Sequence, residues 1–145
     1  MSILKKIGTL LKDELSASET YKQVLVKLRA DALLGDTESL FPIFDNHKEA
    51  VSCLQAQIIE LGGIPSEDTG VWGAWTKIVL GGANLLGKQT ALMILLEGEK
   101  TGAVDYENAL QDQELPSDFR NIIETKLLPS QRSHIRILEQ ILNSK

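Results

Sequence analysis

Apolar residues along this chain recur every three or four positions rather than every second one. With each residue advancing about 100° around a helix, Ile3, Ile7, Leu10, Ala17, Tyr21, Leu25 and Leu28 share one stripe, while Lys5, Lys12, Glu19, Lys22 and Arg29 lie off it. That pattern predicts an amphipathic first helix over roughly residues 2 to 33. Gly35, Asp36 and Thr37 stop it. A second stripe, Leu40, Phe44, His47, Val51, Leu54, Ile58 and Leu61, tolerates Pro42 near its start and ends at Gly62-Gly63-Ile64-Pro65. A third runs through Leu92, Leu96, Glu99, Ala103, Tyr106 and Leu110 to a turn at Leu115-Pro116-Ser117. The fourth, from about residue 118, reads Ile123, Leu127, Gln131, His134, Leu138 and Ile141, with Pro129 predicting a kink or break in its first half. No alternating strand pattern competes, so the expected class is all-α.

Connection lengths then set the expected topology. The first and third links are short, which makes the helices they join antiparallel neighbours. Between helices 2 and 3, from Gly62 to about Leu86, lie about 25 residues, enough to travel the length of a bundle. One long crossover of this kind is the ferritin-like arrangement of a four-helix bundle. Trp72, Trp75, Val79 and Leu86 recur at helical spacing within it and are expected to cover the bundle side; a dimer contact or a membrane-surface contact is the alternative reading of the Trp72/Trp75 segment.

Composition narrows the function classes. The 145 residues fit a single domain spanning 1–145, and 15 Lys and Arg against 20 Asp and Glu leave a net charge of −5, which supplies no basic field for nucleic acid. Cys53 is alone, so neither an internal disulfide nor a thiolate metal site can form, and a reducing cytoplasm is the expected compartment. Charges return at Lys12, Asp13 and Glu14 before a signal-like apolar stretch develops, and Lys77, Lys88 and four glycines interrupt the apolar region Val71 to Leu96, so neither a signal peptide nor a transmembrane segment is expected. Nucleophile elbows, phosphate-binding glycine loops and Cys/His zinc spacings are absent from the sequence.

Candidate chemistry lies inside the stripes. Each is apolar except near its middle, where the four helices place Glu14, His47, Glu99 and His134, with Gln131 one turn before the last. Tyr21 follows Glu14 at the interval by which Tyr106 follows Glu99, so the chain approximately repeats itself as two helix pairs. Buried carboxylates and imidazoles are costly unless they meet one another, a water or a metal ion. Two readings stay open: a hydrogen-bonded polar core, or metal ligands Glu14, His47, Glu99 and His134 supported by Tyr21, Tyr106 and Gln131 in the surrounding layer.

The stretch Glu14-Leu-Ser-Ala-Ser-Glu-Thr-Tyr21 resembles the first helix of the ferritin-like superfamily, which includes bacterioferritin and rubrerythrin, and Gln131-Arg-Ser-His134 resembles its fourth-helix motif. More closely, the chain resembles a family of uncharacterised bacterial ferritin-like four-helix bundles, through His47 to Leu54, Leu61 to Pro65, Gly98-Glu99 to Tyr106, and Leu115-Pro116 through Arg120 to His134. The resemblance covers about residues 3 to 142. It implies a di-metal site built from glutamates on helices 1 and 3 and Glu-x-x-His on helices 2 and 4. At the two Glu positions of those motifs this chain carries Phe44 and Gln131, two carboxylates short of the set that balances two iron ions. The expectation is therefore a ferritin-like protein with a degenerate site, weakly binding iron, manganese or zinc and related to stress, rather than an oxidase or iron store. A non-enzymatic structural or interaction bundle is the alternative.

Overall fold

The computed structural model describes residues 2–30, 35, 38–67 and 83–144. Four helices make up nearly all of them, and no strand occurs among the described residues. Helix α1 is Ile3–Ala30, α2 is Leu40–Glu60 and α3 is Ala83–Leu110. Helix α4 covers 117–143 in three continuous pieces: an α-helical start Ser117–Ile122, a π-helical turn Ile123–Leu127 and an α-helix Leu128–Asn143.

Local chemistry accounts for the ends of these helices. Gly62, at φ +86°, closes α2 in a Schellman motif: its N–H donates to the Ile59 carbonyl and that of Gly63 to Ile58, each at 2.9 Å. At Gly87 the backbone turns to φ +69° inside α3, so the regular helix that enters the core starts after that kink. Arg120 holds the α3–α4 turn by donating to the Leu110 and Asp112 carbonyls, both at 2.6 Å. Where the sequence predicts a kink or break at Pro129, the helix carries a widened turn just before it. Proline cannot donate to the carbonyl four residues back and its ring crowds that carbonyl; the π-helical turn ends just before Leu128, and the backbone stays helical through Leu127 and Leu128.

Side-chain pairings give the helix directions. Leu4 packs near Gly63 and Arg29 lies over Phe41, so α1 and α2 are antiparallel. Lys6 pairs with Asp112 at 2.9 Å and Tyr21 reaches Glu99, so α1 and α3 are also antiparallel. Helices α2 and α3 therefore point the same way. Trp72 and Trp75, and most of the segment joining α2 to α3, lie outside the described residues. Among the described residues, no helix is long and apolar enough to cross a membrane.

The core comes in two apolar clusters with a polar layer between them. One holds Ile7, Leu10, Ala50, Leu54, Ala103, Phe119 and Leu128; the other holds Ala17, Tyr21, Leu25, Ile43, Leu95 and Leu138. On every helix the switch from one cluster to the other falls at the polar interruption: Glu14 on α1, His47 on α2, Glu99 on α3, Gln131 and His134 on α4, all buried. Helical periodicity therefore brings the four sequence interruptions to one level of the bundle.

Candidate metal centre

His47 is the hub. Its Nδ1 lies 2.5 Å from Glu14 Oε1 and its Nε2 2.7 Å from Glu99 Oε2, so one imidazole joins the carboxylates of α1 and α3. Burial opposes a charge on this ring, but the Glu99 and Glu14 carboxylates outweigh it and lift its pKa to about 10. Burial likewise opposes the Glu99 charge, and His47 together with the hydrogen bond from His134 overcomes it, holding the carboxyl down at about 2. The two tyrosines cross over. Tyr21 donates to Glu99 and Tyr106 to Glu14, so each carboxylate is held by the phenol of the opposite helix. Burial first, and then these same carboxylates, push both phenols well above their ordinary range.

His134 has a different setting. Its Nδ1 is 3.2 Å from Glu99 Oε1, while Asn46 Nδ2 at 3.0 Å and Ser130 Oγ at 3.3 Å face its Nε2. Asn46 donates, so the network assigns Nε2 as acceptor and Nδ1 as the N–H that bonds Glu99. The rings of His47 and His134 lie 4.8 Å apart, tilted by 57°. Beside them a cavity of about 30 Å³, lined by Asn46, Glu49, Lys126 and Ser130 among others, is large enough for a water or a small ion.

His47, Glu99 and His134, from three helices, each offer a ligand atom within 4.8 Å of the others. Glu14 is not in that group; it stands behind His47, on Nδ1. Gln131 is not in the group either, and its amide bonds the backbone of α3. Its Nε2 donates to the backbone oxygen of Glu99 at 3.0 Å, and a Cβ at Gly102 would come within 2.4 Å of that nitrogen. Gly102 therefore leaves the space that the Gln131 amide occupies. Phe44 is half-buried and packs on the apolar cluster around Tyr21 and Leu25, contributing no donor atom.

Sequence reasoning missed three contributors. Ser130 lies one turn before His134, so an i, i+4 contact was legible; Asn46 reaches His134 from another helix and left no signal. Asp13, beside Glu14 at the edge of the stripe, is also buried, with Oδ2 unpartnered among the described residues. Burial and then the adjacent Asp105 and Glu14 carboxylates raise its pKa to about 9, so it is protonated at neutral pH. No protein-family model matches the chain, and neither does any curated protein.

Proposed function

We propose that this chain is a ferritin-like bundle that weakly binds one divalent transition-metal ion, iron, manganese or zinc, through His47, Glu99 and His134. The observation that carries the reading is the convergence of two imidazoles and a carboxylate, all buried, within 4.8 Å of one another from three helices. Nitrogen and carboxylate donors suit these metals, and three protein ligands leave a position open. Tyr21 on Glu99 and Asn46 on His134 would orient the ligands from the surrounding layer. A second ion does not fit: Phe44 offers no oxygen, and the Gln131 amide is engaged with the α3 backbone. The ferritin-like topology is part of the same proposal. Its support is that helices α2 and α3 point the same way, the relation that a bundle with one long crossover requires. A bound ion would supply Lewis-acid polarisation or, for iron and manganese, one-electron redox chemistry.

A second reading rests on His47, whose two nitrogens both face carboxylates and which can satisfy the layer as an imidazolium without metal. Thermal unfolding separates the two. A ligand that binds only the folded state at a hundredfold excess over Kd adds about 2.7 kcal/mol, a rise in melting temperature of about 5 to 10 °C for a domain of this size. Manganese or zinc at high concentration should produce it and His134→Leu should abolish it. A melt unmoved by iron, manganese or zinc at any concentration leaves the metal-free polar core standing.

A further inference from the structure

Away from the polar layer, at the end of the α1–α2 pair, a groove of about 370 Å³ opens between Lys22, Leu25, Val26, Arg29, Phe41 and Phe44. That volume lies within the range of small-molecule sites. Leu25 is buried, Phe41 and Phe44 are half-buried, and Val26 is 59% exposed, so the lining is apolar and open to solvent. Among the described residues, no acidic side chain lines it. The charges that the described residues place on its walls are the Lys22 ammonium and the Arg29 guanidinium, the latter 5.7 Å from the centre of the Phe41 ring. On a chain of net charge −5, two cations beside an aromatic and aliphatic floor are a local reversal of sign.

We propose that this groove binds the anion of a free single-chain fatty acid, its hydrocarbon tail along Leu25, Val26, Phe41 and Phe44 and its carboxylate against the Lys22 ammonium or the Arg29 guanidinium, which stand about two helical turns apart on α1. The apolar floor accounts for the tail and a cation on the groove wall for the acid headgroup. An uncharged alkane would leave the cations without a role, and a small anion would leave the floor uncovered. The site is independent of the metal reading, because none of its six residues belongs to the polar layer.

Isothermal titration with octanoate, decanoate and dodecanoate, each below its micelle concentration, tests it. Affinity should rise about threefold to fourfold per added methylene until the groove is full, which is the burial of one methylene converted to a binding ratio. Dodecanol should bind at least tenfold more weakly than dodecanoate. The double variant Lys22→Glu/Arg29→Glu, whose changed side chains are exposed, should abolish that preference while retaining the native helical circular dichroism. Absence of dodecanoate binding, equal affinity for the alcohol, or a preference unchanged in the double variant would each overturn the proposal. So would sedimentation with phosphatidylglycerol vesicles without binding of the free acid, or a dimer broken by Val26→Glu in protein that ignores dodecanoate. His134→Leu should leave the titration unchanged.

Discussion

The α1–α2 pair and the α3–α4 pair of this bundle are alike in their buried glutamates and unlike in their histidines. Glu14 and Glu99 each accept a phenol from the other pair, Tyr106 and Tyr21 respectively, so the carboxylates and tyrosines are related by an approximate two-fold exchange. The imidazoles break it. His47 faces a carboxylate at both nitrogens, whereas His134 faces one carboxylate and two neutral partners, Asn46 and Ser130. A further difference stands just before each glutamate: Asp13 in the first pair, Gly98 in the second, both buried. A sequence repeat can thus place equivalent atoms at equivalent levels, while the charge they carry follows from what surrounds them.

The largest expected effect concerns the histidines. His47→Leu leaves Glu14 and Glu99 buried without the cation between them and should cost about 3 to 5 kcal/mol in urea unfolding. His134→Leu strands mainly neutral partners and should cost about 1 to 3 kcal/mol. Equal losses would break the distinction between hub and peripheral imidazole. The tyrosines test the symmetric part. Tyr21→Phe and Tyr106→Phe should each cost about 1 to 3 kcal/mol, and the two values should agree within about 1 kcal/mol. If one is without effect, the crossed pairing is not a shared device.

The smallest effect has the opposite sign. An unfolded Asp13 ionises near pH 4, while the folded one keeps its proton to about 9, so the folded state holds the extra proton over that interval and loses stability as pH rises through it. Asp13→Asn keeps the shape and removes the titration. It should flatten the stability profile between about pH 4 and 9 and gain about 1 kcal/mol at pH 8, or about 3 °C in melting temperature. A variant that retains the wild-type slope would show that the first pair's extra acid is not the source.

How much of this was readable in advance differs between stripe centres and stripe edges. Ile7, Leu10, Glu14, Ala17, Tyr21, Leu25 and Leu28 proved buried and Ile3, at the helix start, half-buried, because a continuous stripe on a long helix leaves one way to face a core. Helix α2 was less legible: Ile43 and Ala50 are buried, while Phe44 and Val51, read as stripe members, are half-buried. On a short stripe, neighbouring apolar positions define nearly the same direction, and packing against α1 and α4 selects among them.

The sequence by itself determined that four helices form, that each carries a polar interruption near mid-length, and that those interruptions fall at one level, because local periodicity and interval length are properties of the chain. Only the tertiary structure decided which atoms meet. It turned Gln131 onto the α3 backbone through the space left by Gly102, gave His47 two carboxylates and His134 one, and gave the predicted kink or break at Pro129 the form of a π-helical turn just before it. Those outcomes depend on how closely helices approach and on the rotamers the approach permits. Both are set by contacts between residues far apart in the chain, which a helical repeat does not encode.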